Sequence, residues 1–171
     1  MGYTRWKQIG LFFLLIFLQI LLFDKIHLIG YATPLPYIYI LLKLPVGMNR
    51  NVVMLIAAFI GLILDLFSYT LGLHMLACVI VSFLRYYLLK IVTLRDVLES
   101  ASPSFSTLEK GLFLRYAGIF TLIHHFILFT TESFSFVDPL SLVLKITGSF
   151  VVTMILIYAL ESITEIINSK K

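Results

Sequence analysis

Long apolar runs separated by short polar connections dominate this chain of 171 residues. A helix that crosses the hydrocarbon core of a bilayer needs about 20 predominantly apolar residues. The pattern therefore predicts an all-α integral membrane protein, with six transmembrane helices in a single domain covering residues 1–171. The predicted spans are Ile9–Phe23, Pro34–Leu44, Val52–Phe67, Leu71–Leu89, Leu112–Phe129 and Leu140–Ile163.

The composition places the chain in the same class. Hydrophobic residues make up 60% of it and charged residues 13%, and the mean hydropathy is +1.03. Soluble proteins average about 45–50% apolar and about 25% charged residues. The single cysteine, Cys78, excludes an internal disulfide and any cysteine-rich metal or redox motif, and we expect it to be a small core side chain.

Lysine and arginine residues predict the orientation, because they are retained in short cytoplasmic loops. With the N-terminus in the cytoplasm and six spans, only Lys25 and Lys145 fall on the outer side. Both termini are then cytoplasmic. The basic residues expected on the cytoplasmic side are Arg5, Lys7, Lys43, Arg50, Arg85, Lys90, Arg95, Lys110, Arg115, Lys170 and Lys171.

The second predicted span, Pro34–Leu44, is too short for a regular transmembrane helix. A rise of about 1.5 Å per residue gives it a length of about 17 Å, against a hydrocarbon core of about 30 Å. If this segment did not cross, the basic connection between the fourth and fifth predicted spans, from Arg85 to Arg115, would lie outside. That placement is against the positive-inside bias. We therefore expect an irregular crossing, with Thr33 as the N-cap and Pro34 as the first helical residue. Non-helical backbone at membrane depth must be covered by protein or line a wet cavity. We therefore expect residues 30–36, which end at Pro36, to be buried or to line a cleft.

A single carboxylate, Asp65, lies inside the apolar stretch Gly61–Leu76. A charged side chain at the centre of a membrane helix costs about 2.5–3.5 kcal/mol on insertion scales, so it normally faces protein or a wet cavity. Two interpretations are open at this point. Asp65 either accepts hydrogen bonds from groups around Ser68–Thr70 and stabilises the turn before Gly72, or it contacts a partner subunit or a small ligand.

Small residues indicate where helices approach each other closely in a membrane. Ala57 and Gly61 are four positions apart, and Gly111 and Gly118 are seven apart. Both pairs are predicted contact points between helices.

Two further polar features have local interpretations. Ser106 and Glu109 have the spacing of a capping box that opens the fifth span. Lys145, in the last span, either extends to the outer interface or pairs with an acid such as Asp65 or Glu132.

No catalytic constellation is recognisable in the sequence. His124 and His125 are adjacent, so on a helix they point about 100° apart and cannot form the i, i+4 pair of a helical zinc site. A metal or proton site that they share with Glu132 is an alternative. Nucleophile elbows and phosphate-binding glycine loops are absent, and the basic residues form no patch typical of nucleic-acid binding. We expect a non-enzymatic protein without a cofactor, a metal or a nucleic-acid partner.

Two stretches resemble a known family. The motif G-L-x-x-D-x-x-x-x-x-L-G-x-x runs from Gly61 through Asp65 to Gly72, and the segment G-Y-A-T-P-L-P-Y-I-Y-I runs from Gly30 to Ile40. Together with the six-span layout they make the chain resemble the rod shape-determining MreD family. The resemblance covers nearly the whole chain, although its sharp motifs occupy only these two stretches. The candidate structural or partner-binding residues are Gly61, Asp65, Gly72, Pro34 and Pro36.

The resemblance implies a multi-pass protein of the bacterial inner membrane that associates with MreC. Through the elongation complex it would be linked to MreB, to the glycosyltransferase RodA and to a class B penicillin-binding transpeptidase. MreD has no established catalytic residues to carry over, so the implied function is a non-enzymatic scaffold of peptidoglycan synthesis that controls rod cell shape. The family is also similar in layout to the S components of energy-coupling factor transporters. A transporter subunit that binds a small ligand or lipid is therefore the alternative.

Overall fold

The computed structural model describes residues 2–23, 32–93, 102–133 and 138–169. These residues form seven helices and no β-strand. The helices are α1 (Gly2–Leu21), α2 (Ile38–Leu42), α3 (Arg50–Ser68), α4 (Leu73–Thr93), α5 (Phe105–Leu108), α6 (Lys110–Glu132) and α7 (Pro139–Ser169). The predictions for Lys25, Gly30, Arg95, Lys170 and Lys171 lie outside the described residues, as do those for the side chains of Arg5 and Lys7.

Four of these helices, α3, α4, α6 and α7, are long and apolar enough to cross a membrane. They coincide with the last four predicted spans to within a few residues, except that α7 continues to Ser169. The apolar stretch Gly10–Leu21 of α1, in which the side chains are described, is shorter than these four helices. The all-α class and a membrane protein with at least four candidate spanning helices are therefore confirmed.

Neighbouring long helices are antiparallel. Cys78 near the start of α4 lies 3.7 Å from His124 in the second half of α6. Arg85 further along α4 contacts Tyr116 near the start of α6. We call the side of the bundle that contains the α3–α4 turn the Asp65 end, and the opposite side the Arg85 end.

A segment without long regular structure, residues 32–44, passes through the middle of the bundle, and all of it is buried. At the Asp65 end, the backbone N–H of Thr33 donates to Ser149 Oγ, and at the Arg85 end Lys43 contacts Glu161. The segment thus follows α7 from Ser149 to Glu161, a distance of about 18 Å on a helix. Burial of residues 32–36 confirms the prediction for the described part of that stretch.

The predicted helix start at Thr33 and Pro34 is wrong, because α2 begins only at Ile38. A proline disfavours the helical conformation of the residue before it. Thr33 precedes Pro34, and Leu35 precedes Pro36. Leu35 is therefore kept out of the helical conformation, and the observed helix begins two residues after the second proline, at Ile38.

The close contact predicted at Gly111 and Gly118 is also wrong, because a Cβ atom added at either position would meet no atom within 4 Å. These glycines lie on parts of α6 that no neighbouring backbone approaches. The spacing of small residues is a weak signal, since it does not say which helix face is packed.

The predicted capping box at Ser106 and Glu109 is displaced from the real one. Ser104 Oγ accepts the backbone N–H of Thr107 at 3.2 Å, and Thr107 Oγ1 accepts that of Ser104 at 2.9 Å. These bonds cap α5. Glu109 has φ 64° and ψ 152°, which separates α5 from α6. The chain therefore bends where the prediction assumed one continuous helix.

Candidate functional site

Asp65 lies near the C-terminal end of α3 with only 3% of its surface exposed. Its Oδ1 accepts hydrogen bonds from Thr70 Oγ1 at 2.5 Å and from the backbone N–H of His74 at 3.0 Å. Its Oδ2 accepts the backbone N–H of Met75 at 2.9 Å. The His74 ring adds a contact at 3.1 Å from Nδ1 to Oδ1. The carboxylate thus joins the end of one helix to the first turn of the next.

This arrangement replaces an ordinary helix cap. The first backbone N–H groups of a helix lack partners within it, and the side chain of a Ser, Thr, Asp or Asn at the N-cap usually accepts one. Before α4 this position is Gly72, whose carbonyl accepts the N–H of Leu76 but which has no side chain. Asp65 supplies the missing oxygens from the preceding helix, and a negative charge at a helix N-terminus is stabilising.

The two motif glycines make this approach possible. A Cβ atom at Gly61 would lie 2.4 Å from Met75 Cα, so any larger residue would push α4 away from α3. Gly72 has φ +80°, a conformation that side chains disfavour. Gly61, Asp65 and Gly72 are therefore brought together in one turn.

Pro34 and Pro36 belong to a different cluster, between the buried segment and α7. Because prolines have no backbone N–H, they reduce the number of donors that this irregular stretch must satisfy. The N–H groups of Thr33 and Leu35 donate to hydroxyls of α7, namely Ser149 at 2.9 Å and Thr153 at 3.0 Å. The segment thus meets the requirement that irregular backbone at membrane depth be covered by protein.

A buried ion pair holds the other end of this segment. Lys43 Nζ lies 3.1 Å and 3.0 Å from the two carboxylate oxygens of Glu161, and the two side chains are 6% and 2% exposed. The Tyr39 hydroxyl donates to Glu161 at 2.7 Å, and the backbone N–H of Phe105 donates at 3.2 Å. Glu161 therefore connects α2, α5 and α7.

The adjacent histidines of α6, His124 and His125, are buried and contact different residues. His124 Nε2 lies 3.0 Å from the Tyr37 hydroxyl. His125 Nδ1 donates to the carbonyl of Thr121 at 2.8 Å. Glu132 instead forms an ion pair of 2.8 Å with Lys145, which is one of the two alternatives for that lysine. Within the described ranges, no three His, Cys, Asp or Glu side chains are placed to hold a metal ion.

A cavity of about 330 Å³ lies at the Asp65 end, beside the α3–α4 turn. Its polar lining includes Thr33, Thr70, His74, Glu132 and Lys145, and its apolar lining comes from α1, α3, α4, α6 and the buried segment. The cavity connects the two stretches that carry the family resemblance. Its size and mixed lining suit a small amphipathic molecule.

Sequence reasoning missed Glu161, although a signal was present. Glu161 is the one acidic residue in the predicted span Leu140–Ile163, and the argument that singled out Asp65 applies to it equally. Arg85 was assigned only to topology. It is 4% exposed and donates to the carbonyls of Leu44 and Pro45.

Comparison with protein-family models, with curated proteins and with solved structures finds no match to this chain.

Proposed function

We propose that this protein is a non-enzymatic scaffold of the bacterial inner membrane that acts in cell-wall elongation and rod shape. In this proposal it is an MreD-type protein that binds MreC, and through MreC it is linked to MreB, RodA and a class B penicillin-binding transpeptidase. The observation that carries the proposal is the α3–α4 turn, in which Gly61, Asp65 and Gly72 of the family-like motif act together.

The proposal includes six crossings with both termini in the cytoplasm. Three features support this topology. The long helices alternate in direction, and the buried segment 32–44 has the same direction as α7. Near the end of α1, Gln19 donates to the carbonyl of Pro34, so α1 reaches the Asp65 end. Lys43, Arg50, Arg85 and Lys110 lie at the Arg85 end, which would be the cytoplasmic side.

The distribution of polar groups supports a scaffold. Asp65 and Glu161 accept several hydrogen bonds each from this chain, so their oxygens hold helices in place. The outward faces of the helices are apolar. On α3, an exposed stripe at helical spacing consists of Leu55, Phe59, Leu62 and Leu66. A fixed bundle with apolar outer faces suits contact with lipid and with the membrane helix of a partner.

The cavity at the Asp65 end favours one second candidate function, a subunit that binds a small ligand or lipid for transport. Its mixed polar and apolar lining and its position beside the buried irregular segment are the supporting observations. Ligand sites in transporters often lie where membrane helices are interrupted.

The test is affinity purification of the tagged protein from native membranes in mild detergent, with mass spectrometry of copurifying proteins and small molecules. We expect MreC at a defined ratio with the wild-type protein. Gly61→Ala, which moves α4 away from α3, is expected to lower the MreC yield several-fold. The matched control Gly118→Ala adds the same methyl group where it meets no atom, and should keep the wild-type yield.

Other outcomes would contradict the proposal. Recovery of ATPase subunits with a bound vitamin or lipid, and no MreC, would favour the transport function. If Gly61→Ala inserts normally and retains MreC as the wild type does, the α3–α4 turn is not the determinant of binding.

A further inference from the structure

A second cavity, of about 370 Å³, lies at the Arg85 end. It is formed by the connection between α2 and α3, by the first turns of α3, and by the middle of α4. Val53 and Leu89 contribute to its apolar wall, and Arg50, Ser82 and Arg85 contribute its polar groups. None of the described residues of the lining is an aspartate or a glutamate.

Among the residues that the structure describes, two polar atoms of this lining have no hydrogen-bond partner. Ser82 is 2% exposed, and its hydroxyl makes no hydrogen bond to any of those residues. Arg50 Nε is also buried and has no partner among them. Because buried polar groups in proteins nearly always have partners, each such group needs an explanation. A bound molecule that accepts hydrogen bonds would supply one.

The cavity also concentrates positive charge. Arg85 donates to Tyr116 and to the carbonyls of Leu44 and Pro45, which fix its guanidinium in place. Arg50 donates to the Phe83 carbonyl and stacks 3.6 Å above the Phe83 ring. Neither arginine is in an ion pair with an acid in the described part of the chain. Two guanidinium groups that line one cavity and have no acidic partner among the described residues favour a bound anion.

We propose that this cavity binds the phosphate group of an anionic phospholipid. Guanidinium groups bind phosphate through paired hydrogen bonds, and the Ser82 hydroxyl can donate a further one. The apolar wall suits the glycerol and the first carbons of the acyl chains. Basic pockets between membrane helices on the cytoplasmic side are known to hold such headgroups. The proposal does not depend on MreC binding, because it concerns the opposite end of the bundle from the α3–α4 turn.

The test uses the full chain, purified in detergent and stripped of lipid. Phosphatidylglycerol, phosphatidylcholine and inorganic phosphate are added in turn, while the melting temperature and the bound mass by native mass spectrometry are recorded. We expect phosphatidylglycerol to bind and to raise the melting temperature, and the other two probes to have little effect.

Two variants locate the site. Ser82→Leu fills the cavity without a change of charge, and Arg50→Gln removes one guanidinium. Each is expected to weaken phosphatidylglycerol binding by about tenfold or more, the effect of losing one charge-assisted contact. The control Lys110→Gln removes a charge at a side chain that is 65% exposed and outside the cavity, and should bind as the wild type does.

Three results would overturn the proposal. They are unchanged phosphatidylglycerol binding by folded Ser82→Leu and Arg50→Gln, equal binding of phosphatidylcholine, and tight binding of inorganic phosphate without lipid binding. The last would make the ligand a soluble phosphate compound. If Ser82→Leu does not fold, Ser82→Ala removes the same hydroxyl with a smaller change and decides by the same criterion.

Discussion

Two buried carboxylates hold this bundle together over very different distances along the chain. Asp65 bonds to groups between 5 and 10 positions away, from Thr70 to Met75. Glu161 bonds to Tyr39, which is 122 positions away. Asp65 therefore organises one helical hairpin, whereas Glu161 joins segments from opposite ends of the sequence. The first contact is within the reach of a sequence motif, and the second is visible only in the folded chain.

The two sites should also differ in what their loss does. Without Asp65, the first turn of α4 keeps its position in the bundle but loses its cap. Without Glu161, the ammonium of Lys43 loses its carboxylate partner while it stays buried, and Tyr39 of α2 and Phe105 of α5 lose their hydrogen bonds to α7 at this position. We expect a local effect at Asp65 and a global effect at Glu161.

The largest effect is expected for Glu161→Ala. Removal of one partner from a buried ion pair costs about 3–5 kcal/mol, because the other charge stays buried. The measurement is the free energy of unfolding in detergent micelles. The control is Glu165→Ala, whose side chain is 38% exposed in a pair with Lys110, and which should cost about 0–1 kcal/mol.

A double variant sharpens this prediction. Lys43→Met with Glu161→Met removes both charges, and apolar replacement of a buried pair is often neutral. It should therefore recover the part of the loss that comes from the unpaired lysine, whereas Tyr39 and Phe105 still lack their acceptor. If the double variant is as unstable as the single one, the unpaired lysine is not the cause.

The next effect in size is expected for Asp65→Ala, at about 1.5–3 kcal/mol for the loss of hydrogen bonds to a charged acceptor. Hydrogen exchange should accelerate at the amides of His74 and Met75, while α7 keeps its protection. Asp65→Asn retains one acceptor oxygen and should lie between the wild type and Asp65→Ala. Faster exchange throughout the bundle would show that the α3–α4 turn is not a local structure.

Gly61→Ala is expected to destabilise the protein by about 1–3 kcal/mol, because the added methyl group overlaps the backbone of Met75. Gly118→Ala adds a methyl group that meets no atom, and alanine is the better helix former, so it should be neutral or stabilising by up to about 1 kcal/mol. Thermal unfolding of both variants in the same detergent gives the comparison. Equal behaviour of the two variants would contradict the close approach at Gly61.

The smallest effect is expected for Lys145→Gln, at about 0–1 kcal/mol, because its pair with Glu132 is partly exposed. Thermal unfolding at low and high salt checks this value. A large loss of stability would mean that this pair is as important as the buried one at Glu161.

Much of the fold could be predicted because it follows from local patterns. The apolar runs predicted α3, α4, α6 and α7, and the length of Pro34–Leu44 predicted an irregular segment. The predicted helix start at Pro34 was wrong because Leu35 precedes a second proline, Pro36, which disfavours the helical conformation of Leu35. The contacts at Gly111 and Gly118 were wrong because the spacing of glycines does not reveal which helix face is packed.

The candidate sites also fall into two groups, one that a local sequence motif predicts and one that only the folded chain shows. Gly61, Asp65 and Gly72 share a turn that closes within a short stretch of chain, so a sequence motif could contain all three. Glu161 and Arg85 stood in the sequence as isolated charges in apolar runs. Their partners are Lys43, Tyr116 and backbone carbonyls that lie far away in the chain.

The sequence by itself determined that this chain is a helical membrane protein and where its long helices lie, because burial in lipid requires long apolar runs and leaves charges at their ends. Only the tertiary structure decided how the buried segment 32–44 satisfies its backbone, which acid pairs with Lys43, and that two arginines share a cavity. These features depend on groups that are distant in sequence and meet only when the helices pack. A local pattern of residues contains no information about contacts between residues that are far apart in the chain.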